Sequence, residues 1–206
     1  MKVYDSDIRY LLYDCFKDNP EYAAEQDTVV INELDVCSGV ARVDIAVVNG
    51  KLHGYEIKSG QDTLERLPQQ IEFYNTVFDS MTIVAHQTHI DKVKKIVPIW
   101  WEIQCVYENK KEQIKIKRVR KGKQNSNINI RNVAMLLWKD EMLELIENYS
   151  SIKKGYKSKT RNDLSELIAT SINPEVVLQY VRKQLKQRIN WRAVPLQELG
   201  DDLHSM

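Results

Sequence analysis

The 206-residue chain has little of what several protein classes require. No apolar stretch approaches the ~18 residues needed to cross a bilayer as a helix. The first residues carry Asp5, Asp7, Arg9 and Asp14, which is unlike a secretory signal. Its three cysteines, Cys15, Cys37 and Cys105, are single and widely spaced. That excludes a zinc framework or a disulfide scaffold and fits a reducing cytoplasm, the expected location. The four histidines have no zinc-binding spacing. No phosphate-binding P-loop is present, so any ATP-driven step would need another protein. There is no internal repeat and no low-complexity tract.

What remains is ordinary globular composition with an uneven charge. The net charge is only +1. Residues 1–107 nevertheless hold 10 Lys and Arg against 17 Asp and Glu, a net of −7, and residues 108–206 hold 20 against 12, a net of +8. An acidic first half suits cation binding, and a basic second half suits a polyanion. Two solvated faces of opposite sign would give the same numbers.

Periodicity places a helix over residues 7–17, where Ile8, Leu11, Leu12, Cys15 and Phe16 share a face. Strands follow over 27–36 and on both sides of Asn49-Gly50, a dipeptide favoured in two-residue hairpin turns. A helix over about 63–79 contains Pro68 and should kink there unless it starts near that residue. Residues 81–85 (M-T-I-V-A) read as a strand buried on both faces, 91–97 as a helix and 103–107 as an edge strand. The fold class expected is α/β (α+β), a mixed central sheet flanked by helices, with a helical C-terminal region. The expected divisions are a core over 1–107, a basic arm or linker over 108–130 and a basic helical region over 131–206. In the last, helices are marked by Val133 to Ile146, by Leu164 to Ile168 and by Val177 to Leu185.

The chemistry-bearing stretch is R-V-D-I-A-V-V-N-G-K-L-H-G-Y-E-I-K-S, residues 42–59. Side chains alternate along a strand, so Glu56 and Lys58 share a face while Tyr55 and Ile57 take the other. Pairing across the hairpin can bring Asp44 near Glu56. A helix bearing Gln70 and Tyr74 on one face follows. As text the Glu-x-Lys pattern is weak, and Glu108 to Lys110 matches it too. A buried ion pair is the plain alternative.

With V-D-I at 43–45, E-I-K at 56–58 and Q-I-E-F-Y at 70–74, residues 5–107 resemble the PD-(D/E)XK nuclease superfamily, in a small prokaryotic branch. Val43 stands where the motif has its proline, and the first-helix Glu of several branches is absent, leaving Asp7, Asp14 or Glu33 as candidates. The resemblance implies a Mg²⁺- or Mn²⁺-dependent deoxyribonuclease. Asp44, Glu56, the Ile57 carbonyl and Glu33 would hold the metal through oxygen ligands. Lys58 would activate water or stabilise developing charge, and Gln70 and Tyr74 would position the site. Arg66, Lys117, Arg118, Arg120, Lys121, Lys157, Lys159 and Arg161 are the expected nucleic-acid contacts. DNA, branched or single-stranded forms included, is the expected partner, a homodimer is compatible and no membrane is involved. The runner-up is a catalytically silent module of that fold that binds nucleic acid or protein. A third reading makes the first half a scaffold and the C-terminal helices a DNA reader. Trp100 and Trp101 are read as packing residues ahead of base-stacking platforms.

Overall fold

A computed structural model describes residues 3–188 and 192–199. Seven strands form one mixed sheet in the order β6-β5-β4-β3-β2-β1-β7. In chain order the elements are α1 (Asp5–Lys17), α2 (Pro20–Ala23), β1 (Val29–Val36), β2 (Ala41–Val48), β3 (Leu52–Lys58), α3 (Leu67–Tyr74), β4 (Ser80–His86), α4 (Ile90–Ile96), β5 (Glu102–Glu108), β6 (Ile114–Arg120), α5 (Ile130–Ala134), α6 (Lys139–Tyr149), α7 (Arg161–Ser171), α8 (Pro174–Gln187) and β7 (Ala193–Pro195). β1, β2 and β3 run as an antiparallel meander, and β4 and β5 add in parallel.

Both faces of the sheet are covered. One carries Val43, Ala46, Ile83 and Ile103 against Tyr74 of α3, Val93 of α4 and the apolar stripes of α5 to α8. The other carries Ile45, Val47, Tyr55 and Ile57 against Ile8, Leu12 and Phe16 of α1. The strand over 81–85 is central and apolar because it is buried on both faces.

Several expectations change in detail. The hairpin loop has three residues, since Val48 pairs with Leu52. The Asn49 side chain accepts the Lys51 amide, and neither Asn49 nor Gly50 takes the positive φ of a two-residue turn. α3 starts at Leu67 with Pro68 in its first turn, where no amide is needed, so no kink arises. β5 is interior, because residues 114–120, read as arm or linker, pair with it as the edge strand β6. The helix expected from Val133 to Ile146 is two helices, α5 and α6, broken between Ala134 and Lys139. α2 and β7 were not read from the sequence. α5 to α8 share a hydrophobic core with the sheet. Trp101 is fully buried, donating its indole N–H to the Asn75 side chain, which is the packing role expected.

Candidate functional site: a neutralised carboxylate cluster

The site sits where two strands break their alternation. On β1 the residues facing α3 are Val29 and Ile31, then Leu34 and Val36; on β2 they are Val43, then Ala46 and Val48. Each strand skips one step, at Glu33 and at Asp44. Glu33 has φ +55°, which a non-glycine residue rarely adopts inside a strand. The pairs Asn32–Ile45 and Leu34–Val43 bracket the two residues across the β1–β2 ladder, and Asp44 lies just beyond the last β2–β3 pair, Ile45–Tyr55, beside Glu56 and Ile57. Arginines satisfy the carbonyls freed by this break: Arg9 donates to the Asp44 carbonyl at 2.9 Å and Arg192 to that of Glu33 at 2.8 Å.

The carboxylates meet cations of this same chain. The Glu33 carboxylate accepts from Arg9 at 2.6 Å, and Arg9 also bonds Asp5 and lies 3.5 Å from Asp44. Glu56 is 1% exposed, and its Oε1 accepts from Lys58 Nζ at 2.6 Å and from the Gln70 amide at 2.7 Å. Its Oε2 lies 2.9 Å from the Tyr74 hydroxyl, which also reaches the Arg42 carbonyl. Asp44 Oδ2 accepts the Ile57 amide at 2.6 Å. A cavity of about 410 Å³ opens over Asp44, Glu56, Lys58, Arg66 and Gln70.

Burial, reinforced by the negative charge of Glu56, pushes the Asp44 carboxyl up to about 8; the Ile57 amide, Arg9 and Lys58 oppose this. Burial also raises Glu56, against the pull of Lys58, Tyr74 and Gln70. Burial lowers the proton affinity of Arg9, but its bond to Asp5 and the nearby Asp44 and Glu33 outweigh this, so the net shift is upward.

The structure therefore brings together Asp44, Glu56, Lys58, Gln70 and Tyr74, with Ile57 supplying its amide. Asp14 is exposed and Asp7 accepts the Tyr4 amide; the first-helix acid lining the cavity is Asp5. Sequence reasoning missed Arg9, whose only signal was its position one turn after Asp5 on a helix otherwise packed by apolar residues. Among the described residues no group of three His, Cys, Asp or Glu side chains is placed to hold a metal ion. A dication would find two carboxylates, Asp44 and Glu56, and would compete with Lys58 and Arg9 for them. The donor set fits Mg²⁺ or Mn²⁺ poorly, and no chemical step is derived through either.

The expected phosphate contacts divide. Arg120 donates to the Trp101 and Pro98 carbonyls, and Arg161 to those of Met135 and Leu137, so both hold backbone in place. Arg66, Lys117, Arg118, Lys121, Lys157 and Lys159 are exposed, with Arg118 3.4 Å from Glu102. Lys117 rests over the Tyr107 ring at 4.8 Å. Lys117 lies opposite Cys105 in the β5–β6 register, and Cys105 shares a core cluster with Ile90 and Val93 of α4, so Lys117 and α4 lie on one side of the sheet edge. No helix among the described residues is long and apolar enough to cross a membrane.

Comparison with known proteins corrects the family. The model of the family described as Bacteriophage P4 protein cII matches residues 11–197. Protein cII of Enterobacteria phage P4 is 27% identical over 163 residues, covering 79% of this chain and 60% of that protein. The chain thus spans less than two thirds of that relative's length. No solved structure matches. These findings overturn the nuclease-superfamily assignment, and the metal-dependent deoxyribonuclease, hydrolase and endonuclease readings fall with it. The physical reason for the misreading is that Asp, a hairpin and Glu-x-Lys form a short pattern, which a buried ion-pair cluster on a sheet satisfies equally well. By the match over residues 11–197, the chain belongs to the bacteriophage P4 cII protein family.

Proposed function

We propose that this protein is a nucleic-acid-binding module whose contact surface is the basic face formed by α4 and β6. The observation that carries the reading is that exposed Lys117 of β6 and α4, with its exposed Lys94, lie on one side of the sheet edge. Lys92, Lys95 and Lys115 are exposed on the same two elements. An edge strand lined with lysine resists pairing with another strand and offers ammonium groups to phosphate. The exposed Lys153, Lys154, Lys157 and Lys159 between α6 and α7 add a second basic stretch. Within this proposal, the order α1, three antiparallel strands, α3 and a parallel strand supports a restriction-endonuclease-like core as architecture alone.

The test is fluorescence anisotropy with labelled 20-mer duplex DNA, single-stranded DNA and RNA between 50 and 300 mM salt. The K94Q/K117Q variant should bind about tenfold more weakly at the low-salt end. The slope of log K against log salt should shrink by about 2 for duplex DNA. Absence of binding to all three polymers, or an unchanged slope in the variant, would overturn the proposal.

A further inference from the structure

A second cavity, of about 370 Å³, lies at the opposite end of β3 from the carboxylate cluster. Its walls are Tyr22 of α2, His53 and Tyr55 at the start of β3, Glu102 and Gln104 at the start of β5, and the segment from Arg118 to Gln124. That volume falls in the range of small-molecule sites.

The floor is a neutral chain of hydrogen-bonding groups. The Tyr22 hydroxyl lies 2.6 Å from that of Tyr55 and 2.7 Å from His53 Nδ1, and His53 Nε2 lies 2.8 Å from Thr82 Oγ1. One consistent assignment has Tyr55 donating to Tyr22, Tyr22 to His53 and His53 to Thr82. The imidazole stacks on Tyr55, with ring centroids 4.3 Å apart. Burial pushes His53 down to about 3, so the floor carries no charge at neutral pH.

The rim is cationic and rigidly built. Lys51 lies 3.5 Å from Glu21 and Arg118 3.4 Å from Glu102, so those two cations are already matched. Asp79 is buried and lies 3.2 Å from Arg182. Lys121 and Lys123 have no carboxylate within 4 Å among the described residues. Their backbone is anchored on three sides. Arg120 is tied to two carbonyls, and the Lys123 amide donates to the Trp100 carbonyl at 2.8 Å. Between them Gly122 passes so close to β5 that a Cβ would lie 3.1 Å from the Glu102 backbone nitrogen. A glycine and an arginine thus fix the backbone that carries two unmatched lysines at the mouth of a polar cavity with an uncharged floor.

We infer that this cavity binds a phosphorylated nucleoside, with Lys121 and Lys123 on the phosphate and the Tyr22–His53–Tyr55 floor against the sugar or base. Free nucleotide and the phosphorylated end of a strand share this chemistry. The inference stands apart from the α4–β6 face and uses none of its lysines.

Calorimetry on the full chain tests it with AMP, GMP, CMP, TMP, adenosine and inorganic phosphate, alongside 5′-phosphorylated and 5′-hydroxyl trinucleotides. At least one monophosphate should bind below 1 mM and at least tenfold tighter than both adenosine and inorganic phosphate. The K121Q/K123Q variant, with unchanged circular dichroism and melting temperature, should lose that binding at least tenfold, and K94Q/K117Q should keep it. Y22F should weaken binding three- to tenfold. Tighter binding of the 5′-phosphorylated trinucleotide would identify a strand end as the ligand, and tighter binding of the mononucleotide a free ligand. No monophosphate binding at 1 mM, equal binding of inorganic phosphate, or full binding by K121Q/K123Q would overturn the inference.

Discussion

Glu56 and Lys58 form an ion pair 2.6 Å long with side chains 1% and 7% exposed. Such a pair gains little over a hydrophobic replacement, but removing one partner strands the other charge away from water. Glu56→Met leaves the Lys58 ammonium with only the Gln70 oxygen, 3.3 Å away. That should cost about 3–5 kcal/mol. Lys58→Met should cost less, about 2–3 kcal/mol, because Glu56 keeps Gln70 and Tyr74 and can take up a proton. In the double variant no charge is stranded. What remains is the lost acceptor for Gln70 and Tyr74, at about 1 kcal/mol each. Tyr74 retains the Arg42 carbonyl, so the double variant should lie only about 1–2 kcal/mol below wild type. The cycle should therefore return a coupling of at least about 3 kcal/mol. Urea unfolding at pH 7 followed by fluorescence of the buried Trp101 measures all four proteins. Costs that simply add, with the double variant the least stable of the four, would refute the description of this cluster as a self-neutralised pair.

Three further expectations concern the same cluster and the strand that carries it. Asp44 holds its proton up to about 8 when folded and releases it near 3.8 when unfolded, so the folded state binds more protons in that window and stability falls as pH rises through it. Three units between pH 5 and 8 set an upper bound of about 4 kcal/mol, and Asp44→Asn should flatten the profile while keeping its contact with the Ile57 amide; a wild-type profile that rises over this range would contradict the assignment. Because Lys58 occupies Glu56, 1 mM Mn²⁺ should shift the wild-type melting temperature by less than about 1 °C, whereas Lys58→Met should show the larger shift that ligand linkage gives once Glu56 is released; a larger shift in wild type would make the cluster a metal site. Gly54→Ala would place a Cβ 2.4 Å from Met81 Sδ and 3.1 Å from Phe78, and should cost about 1–3 kcal/mol by denaturation, with a neutral result showing that Met81 is free to move aside.

Much of the local structure was legible in advance because it depends on near neighbours. The Ile8, Leu12 and Phe16 stripe, the alternation of Tyr55 and Ile57 against Glu56 and Lys58, and the apolar run at Met81 are periodicities that burial enforces on one element at a time. They sufficed to set Glu56 and Lys58 on one face with Asp44 near Glu56, and Gln70 and Tyr74 on one face of the next helix; that this helix joins the cluster was implied only by the resemblance. The break in alternation at Glu33 and Asp44 was not legible, because it depends on Arg9, 24 residues from Glu33 and 35 from Asp44, and on Arg192, 159 residues beyond Glu33. The strand at 114–120 was legible in part: alternation at Ile114 and Ile116 allowed a basic hairpin arm or a linker, and the free edge of β5 decides for the strand.

The chain by itself determined a mixed α/β fold and a polar cluster on a hairpin, since hydrophobic period and strand pairing are written in neighbouring residues. Only the tertiary structure decided what faces that cluster. Arg9 arrives from a helix and Lys58 from two residues along the strand that carries Glu56, and together they supply the positive charge that the carboxylates require. Whether acidic side chains meet an external ion or a cation of their own chain depends on contacts across long stretches of sequence, which no local pattern records.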